Sequence, residues 1–231
     1  MFKKFGAKLK KIERQLDKSY GFDFSTEPGR RRAWRHFQWL DHAVLRVYWT
    51  NLAEISPSVW RSNQPSPERI KKYKDMGITT ILNLRGQNGR SNYVFEKEAC
   101  DAQGLKLIDL RLKARSLSDP QAYLDLLDQF ENIGKPFLMH CKSGADRAGL
   151  ASALYLIHMQ GTPVAEAKKQ LSLRFIHFKS FKTGILDHML DAYEADTMSE
   201  NIPIRDWIST RFDPVALTQE FHTARGLPEP R

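Results

Sequence analysis

The stretch from Pro136 to Met159 constrains the fold of this chain more than any other. It begins with the apolar run Pro136-Phe137-Leu138-Met139 and ends in the apolar helical run Leu150 to Met159. Between them lies a loop of mostly small residues, His140-Cys141-Lys142-Ser143-Gly144-Ala145-Asp146-Arg147-Ala148-Gly149. A buried strand, a tight loop and a helix in that order place a helix N-terminus where it can bind an anion. We therefore predict an anion-binding loop with a thiol at its base.

The spacing of Cys141 and Arg147 indicates what this loop can do. Cys141 ends the predicted strand, and Gly144 permits a positive φ that lets the loop curl, so that successive backbone N–H groups converge on one point. The planar guanidinium of Arg147 can bind two oxygens of a phosphate, and the helix N-terminus adds partial positive charge. The same field favours the thiolate form of Cys141, which is the nucleophilic form. The predicted phosphate-binding residues are Lys142, Ser143, Gly144, Ala145, Asp146 and Arg147.

This C-x5-R segment resembles the phosphate-binding loop of the cysteine-dependent protein tyrosine and dual-specificity phosphatases. Upstream, Val59 to Pro65 and Gly77 to Arg85 look like the opening strands of the compact atypical bacterial members, and the resemblance covers roughly residues 55–195. It implies a phosphomonoester hydrolase that forms a phosphocysteine at Cys141. Many members carry Ser or Thr after the arginine to help the sulfur leave, whereas this chain has Ala148, which puts the rate of turnover in question.

Phosphate ester cleavage also requires a carboxylic acid near the loop to protonate the leaving oxygen. Asp146 is the first candidate, because the Asp146-Arg147 pair resembles the loops of myotubularin-like and some bacterial lipid-active phosphatases, where the loop aspartate is the proposed acid. Its alternative role is an ion pair that holds Arg147. Asp109 is the second candidate, since its separation from Cys141 resembles that of the general-acid loop in dual-specificity enzymes. Asp119 precedes Pro120 and is predicted to cap a helix.

Two further loop residues receive predicted roles. We expect His140 to form local hydrogen bonds that fix the backbone of Cys141, since a thiolate needs no general base. Lys142 adds a cation at the mouth, which favours multiply charged head groups, although a solvated lysine is an equal alternative. No histidine pair has metal-ligand spacing, and the proposed chemistry needs neither a metal nor a cofactor.

Hydrophobic periodicity predicts an α/β fold, with a largely parallel central sheet flanked by helices and a helical N-terminal extension. The resemblance implies that this fold is like that of dual-specificity phosphatases. Strands are predicted at 59–62, 79–84 and 105–112, and helices at 66–76, 93–102, 121–130, 150–159, 163–173, 184–195, 204–209 and 214–221. We predict three parts: a basic helical extension over 1–50, a phosphatase domain over 51–195, and a helical segment with a tail over 196–231.

The formal net charge of +9 is concentrated near the N-terminus, where residues 1–50 hold 12 Lys and Arg against 5 Asp and Glu. Apolar residues recur at helical spacing over 1–20, among lysines, which predicts a basic amphipathic helix. This helix could bind an anionic membrane surface or pack on the domain with a solvated lysine face. The aromatic stripe over 30–50 predicts a second helix that packs on the domain.

The sequence leaves the substrate open between a phosphorylated protein and a phospholipid head group. A phosphate-binding scaffold with little turnover is an alternative, and an RNA 5′-phosphatase is a weaker one, because no nucleic-acid module accompanies the charge. Only Cys100 and Cys141 are present, and neither a signal-peptide pattern nor an apolar run near 18 residues is found. These features predict a cytoplasmic protein, peripheral at the membrane if the basic helix binds it.

Overall fold

The computed structural model of the protein describes residues 23–41 and 43–228, built around a five-stranded sheet. The strands are β1 (Ala53–Ser56), β2 (Val59–Asn63), β3 (Thr80–Asn83), β4 (Lys106–Asp109) and β5 (Phe137–Cys141). Their order across the sheet is β1-β2-β5-β3-β4, and every neighbouring pair is parallel except the antiparallel pair of β1 and β2. The predicted fold class is confirmed.

Helices pack on the sheet, and further helices precede its first strand and follow its last strand in the chain. The α-helices are α1 (Glu27–Arg35), α2 (Pro67–Asp75), α3 (Ser91–Gln103), α4 (Pro120–Asn132), α5 (Asp146–Gln160), α6 (Val164–Ala167), α7 (Ile185–Ser199), α8 (Ile204–Thr210) and α9 (Pro214–Ala224). A π-helical turn spans His36–Leu40, and 3-10 turns span Leu45–Val47, Lys168–Gln170, Leu173–Phe175 and Lys182–Gly184.

The register of the parallel strands brings their carboxyl ends to one edge of the sheet. Asn63 of β2 pairs with Cys141 of β5, while Asn83 of β3 pairs with both His140 and Asp109. Side chains that end different strands therefore lie side by side, as expected of ligand sites in parallel α/β sheets. The cysteine predicted to be the nucleophile stands at this edge.

The two central strands are buried on both faces, which explains their continuous apolar runs. Successive residues belong to different cores, because strand side chains alternate between faces. Leu82 and Met139 pack in the core beneath α4 and α5, whereas Ile81 and Leu138 pack with Cys100 on the other face. Burial raises the pKa of the Cys100 thiol, as expected of an inert core cysteine.

Two predicted helices are shorter or more broken than their periodicity indicated. The pattern over 163–173 forms α6 and two 3-10 turns, because the carbonyl oxygen of Gln170 accepts a hydrogen bond from Arg61 instead of continuing a helix. The pattern over 30–50 breaks at Asp41, whose carboxylate is buried among cationic side chains. Strand β1 was not predicted, since its four residues carry little alternation.

The described part of the N-terminal extension packs on α3 through aromatic contacts. Trp34 lies 5.2 Å from the ring of Phe95, and Phe37 lies 6.0 Å from it. Arg30 of α1 forms an ion pair with Glu98, with 2.6 Å between Nη2 and Oε2. The predicted amphipathic helix over 1–20 lies outside the described residues, and so does the end of the predicted tail, 229–231. Across the described ranges, every helix is too short or too polar to span a bilayer.

Candidate active site

The predicted phosphate loop connects the end of β5 to the start of α5. Cys141 is almost completely buried at its base, and Asp146 begins the helix. Gly144 adopts a φ of +74°, and a Cβ atom there would lie 2.7 Å from the backbone nitrogen of Asn63. Glycine is therefore required twice, for the backbone conformation and for the close approach of β2.

The carbonyl groups of this loop are all held from behind. The backbone N–H of Gln64 donates to the Lys142 carbonyl at 3.2 Å, and Asn51 Nδ2 donates to the Ser143 carbonyl at 2.8 Å. Arg61 donates to the carbonyls of Gly144 and Ala145. Because the N–H of a trans peptide points opposite to its C=O, these bonds turn the N–H groups of residues 143–146 away from β2, as an anion nest requires.

Arg61 is the residue that does most to fix the loop, although no role was predicted for it. Its side chain is fully buried on β2, stacks over the ring of Phe175 at 3.7 Å, and also donates to the carbonyl and side-chain oxygens of Gln170. Burial lowers its pKa to about 9, against the opposing attraction of Cys141. An arginine inside a buried strand was the signal that could have revealed this role.

His140 lies behind the loop in a buried chain of polar contacts. Its Nδ1 is 3.3 Å from the carbonyl oxygen of Cys141, which fits the predicted local role. Its Nε2 is 2.6 Å from Glu96, whose other oxygen accepts from Gln64 Nε2 at 2.6 Å. Gln64 then accepts from Arg85 at 2.7 Å, so the chain reaches the front of the site.

Asp41, from the N-terminal extension, gathers three cations beside the loop. Its carboxylate lies 2.8 Å from Arg46 Nη2, 2.9 Å from Arg85 Nη2 and 3.6 Å from Lys142 Nζ. Burial disfavours its charge, but the attraction of Arg85, Arg46 and Lys142 outweighs burial and holds the Asp41 pKa well below its usual value. Burial and the two neighbouring arginines lower the pKa of Lys142. The extension thus contributes directly to the site.

A cleft of about 900 Å³ opens in front of the loop, bounded by Lys142, Ser143, Asp146 and Arg147. Apolar side chains line part of it: Leu45, Trp49 and Leu112. The Nε atom of Arg147 is buried and has no hydrogen-bond partner within the part of the chain described. The predicted cation of the loop therefore faces the cleft without a protein anion to neutralise it.

Asp146 lies at the edge of this cleft and is paired with a histidine rather than with Arg147. Its Oδ1 is 2.8 Å from His177 Nδ1, and His177 Nε2 is 2.7 Å from Asp187. Burial lowers the pKa of His177, but the hydrogen bonds to Asp146 and Asp187 outweigh burial and raise it to about 9. Lys179 Nζ lies 3.1 Å from the second oxygen of Asp187. Neither His177 nor Asp187 was singled out from the sequence.

Asp109, the other candidate acid, is placed differently. It ends β4, where Asn83 Nδ2 donates to it at 2.8 Å and the Tyr93 hydroxyl donates at 2.6 Å. It does not line the cleft. Burial and the hydrogen bond to Asp109 raise the pKa of Tyr93. Asp119 caps α4 as expected, since its side chain accepts from the backbone N–H of Gln121. Of these aspartates, only Asp146 lines the cleft.

Comparison with known proteins defines the class of this fold and site. Residues 55–183 match the profile described as Swiss Army Knife protein, DSP-PTPase phosphatase domain. The matched residues form a domain of the dual-specificity and tyrosine phosphatase class. Within that class, the chain belongs to this PTP-SAK family, and the resemblance seen in the sequence is confirmed.

Individual relatives agree with this assignment. The chain is 27% identical over 144 residues to the dual specificity protein phosphatase TpbA of Pseudomonas aeruginosa PAO1, covering 62% of this chain and 59% of TpbA. This chain thus spans about three-fifths of the length of that relative.

Solved structures share the fold. A crystal structure of P. aeruginosa TpbA has a TM-score of 0.51 and 21% identity, covering 64% of this chain and 91% of TpbA. The active form of Tk-PTP has a TM-score of 0.52 and 17% identity, covering 64% of this chain and 98% of Tk-PTP. TpbA has also been solved as a cysteine-to-serine variant in complex with phosphotyrosine, at a TM-score of 0.50.

Proposed function

We propose that the protein hydrolyses phosphate monoesters through a phosphocysteine at Cys141. The observation that carries this proposal is the arrangement of the loop: its carbonyls are bound from behind, and Arg147 faces the cleft without a partner among the described residues. Such a loop can bind the three equatorial oxygens of a transferring phosphoryl group through the transition state. A buried structural cysteine would need none of these features.

The proposed reaction has two steps. The Cys141 thiolate attacks phosphorus, the bond from phosphorus to the ester oxygen breaks, and that oxygen takes a proton through Asp146 from the protonated His177 bonded to it. In the second step water attacks the phosphocysteine, the proton of the water passes through the Asp146 carboxylate back to His177, and the thiolate leaves. Arg147 and the loop N–H groups bind the phosphoryl oxygens in both steps. The absence of a hydroxyl at Ala148 affects the rate of the second step only.

Asp146 is the better candidate for the acid because it borders the cleft. Asp109 is engaged by Asn83 and Tyr93 away from it. The segment that follows β4 and lines the cleft contributes Lys and Arg side chains and no carboxylate. His177 would act as a positioning residue that holds Asp146 at the mouth, with Asp187 fixing the ring from its other side.

The proposed substrate is a phosphorylated protein or a phospholipid head group. The phosphotyrosine complex of TpbA supports the first choice by analogy, since that relative shares the fold. The basic pattern over 1–20 supports the second, because lysines beside a membrane surface attract anionic lipids. We place the protein in the cytoplasm, peripheral at the membrane if that segment binds it.

Replacement of the nucleophile tests the mechanism. Cys141→Ser should lower turnover of an aryl phosphate by at least about 1,000-fold, because an un-ionised hydroxyl is a poor nucleophile. Binding of inorganic phosphate or vanadate, measured by calorimetry, should persist because the loop remains. Cys100→Ser is the matched control and should keep its turnover. Near-normal turnover by Cys141→Ser would contradict the covalent mechanism, and a wild-type chain without a burst of product would instead be a phosphate-binding scaffold.

A further inference from the structure

The cleft in front of the phosphate loop carries far more positive charge than one phosphate can neutralise. Eight Lys and Arg side chains line it, together with a single carboxylate, Asp146, which is already bonded to His177. Among these cations, Lys142 and Arg147 belong to the predicted phosphate-binding loop. A phosphate monoester carries a charge near −2 at neutral pH. The remaining cations therefore indicate a ligand with additional negative groups.

Three of these cations, Arg46, Arg85 and Lys142, form the inner wall of the cleft. Arg46 is 3% exposed, and its Nε atom has no hydrogen-bond partner among residues 23–41 and 43–228. Arg46, Arg85 and Lys142 share one carboxylate, that of Asp41. Arg46 and Arg85 are largely removed from water while the Lys142 side chain is 40% exposed, and holding three cations around one anion in this way is unfavourable unless another anion completes the cluster. A phosphate placed against this wall would supply that anion.

The outer wall lies on the segment after β4. Arg111, Lys113 and Arg115 are exposed there, and no carboxylate of the described residues lies within ion-pair distance of any of them. Arg111 forms a backbone bridge with Arg85, so the outer and inner walls adjoin. Free cations on a rim attract and bind a polyanion through charge-assisted hydrogen bonds.

We propose that these two walls form a second anion subsite and that the substrate carries two or more phosphate groups on one small carrier. This inference rests on the proposed phosphatase function and names its substrate class. One phosphate occupies the loop at Cys141, and the others contact Arg46, Arg85 and Lys142 or the outer rim. The cleft volume of about 900 Å³ falls within the range of small-ligand sites. The shared chemistry is a polyol bearing several phosphates, either free or as a lipid head group.

Competition kinetics on the full chain tests the subsite. With an aryl phosphate as the reporter substrate, inositol hexakisphosphate should inhibit at a concentration at least about 100-fold below that required of inorganic phosphate. Its inhibition constant should rise steeply with salt, because the contacts are between charges. Equal inhibition by the two anions after correction for charge screening would overturn the proposal.

Variants separate the subsite from the loop. The double variant Arg111→Gln/Arg115→Gln changes exposed side chains and should fold. It should weaken inhibition by inositol hexakisphosphate about tenfold more than inhibition by inorganic phosphate. Arg46→Gln should do the same more strongly, provided that its thermal melt is cooperative. Arg31→Gln is the matched control, since Arg31 lies exposed on α1 and outside the cleft. A double variant that behaves like this control would contradict the outer wall.

Two further experiments are needed. The first tells whether the substrate is free or part of a lipid, and the second tests binding at the subsite independently of the hydrolysis reaction. Phosphate release is compared for soluble inositol polyphosphates, for phosphoinositides in phosphatidylcholine vesicles and for a phosphotyrosyl peptide. A higher kcat/KM on either polyphosphorylated source supports the subsite and tells lipid from free ligand, whereas a preference for the peptide overturns it. Calorimetry of inositol hexakisphosphate with Cys141→Ser measures the subsite without turnover. Tight binding there beside an inactive wild type would refute the phosphatase proposal alone.

Discussion

The polar groups behind the phosphate loop differ from those in front of it in how far they are paired within the protein. Behind the loop, Arg61, Asn51 and the Gln64 N–H each donate to a loop carbonyl, and His140 Nε2 lies 2.6 Å from the buried carboxylate of Glu96. In front of it, Arg147 and the outer rim face the cleft with no carboxylate partner in the described ranges. At the rear the loop carbonyls are bound by protein donors, whereas at the front the described cations outnumber the single carboxylate of Asp146.

The two sides therefore have different roles: the rear fixes the geometry of the loop, and the front recognises the substrate. Hydrogen bonds to buried carbonyls favour one arrangement of the loop, because each broken bond leaves a desolvated polar group. The front can exchange water and ions at little cost, so its charges are available to a substrate. Changes behind the loop should therefore harm every substrate equally, while changes in front of it should depend on the substrate.

Removing Arg61 should produce the largest effect, because it deletes the hydrogen bonds that this side chain donates to the loop carbonyls. Arg61→Met leaves the carbonyls of Gly144 and Gln170 without their arginine donor, and the Ala145 carbonyl keeps only the backbone N–H of Gly149. We expect a loss of at least about 3 kcal/mol in the free energy of unfolding. Turnover should fall on aryl and alkyl phosphates alike. Urea denaturation and steady-state kinetics measure both quantities.

Two comparison variants sharpen this test. Arg61→Lys keeps the charge but not the planar fork, so it should retain part of the stability and little of the turnover. Arg31→Met removes an exposed arginine of α1 and should change stability by less than about 0.5 kcal/mol. If Arg61→Met unfolded at the wild-type urea concentration, the rear network would not be what holds the loop.

Replacing the two candidate acids should have a smaller effect that depends on the substrate. Asp146→Asn should lower turnover of alkyl phosphates by about 100-fold or more, because their leaving oxygen needs a proton. Activated aryl phosphates should be affected much less. Asp109→Asn is the matched change at a carboxylate outside the cleft and should affect both substrates little. Equal losses on both substrate types for Asp146→Asn would reassign Asp146 to positioning the loop.

Local patterns predicted the fold and the loop because their causes are local. The apolar run before Cys141 specifies the end of a strand, and the glycine at 144 specifies a turn. The arginine at 147 specifies the start of an anion-binding helix. Capping signals likewise predicted the starts of α2 and α4 at Pro67 and Pro120. These features need only a few neighbouring residues to be interpreted.

The supporting residues could not be predicted in the same way because their partners are distant in the chain. Arg61 contacts a carbonyl 83 positions away, and Asn51 contacts one 92 positions away. His177 meets Asp146 only because the chain after Gln170 leaves its helix and returns to the loop. Nothing in their immediate sequence distinguishes these residues from ordinary polar side chains. An arginine inside a predicted strand, as at Arg61, is the one signal available.

The smallest predicted effect concerns His177, which lies between Asp187 and Asp146 at the edge of the cleft. Its pKa is raised to about 9 in the folded protein from an ordinary value near 6.5, so the folded state binds a proton more tightly than the unfolded state. The resulting stabilisation is complete below about pH 6.5 and is lost as the pH rises through about 9. We expect it to amount to about 1–3 kcal/mol.

Urea midpoints of the wild type and of His177→Gln between pH 6 and pH 10 measure this contribution. The wild type should be the more stable near pH 6, and the difference should shrink as the pH rises toward 9 and 10. Lysine and tyrosine titrations contribute equally to both proteins, so the difference isolates His177. Asp187→Asn should retain the interaction with Asp146 and give an intermediate slope, because one of the two carboxylates that raise the pKa remains. Parallel curves for the wild type and His177→Gln would show that His177 is neutral in the folded protein and holds Asp146 as an uncharged hydrogen-bond partner.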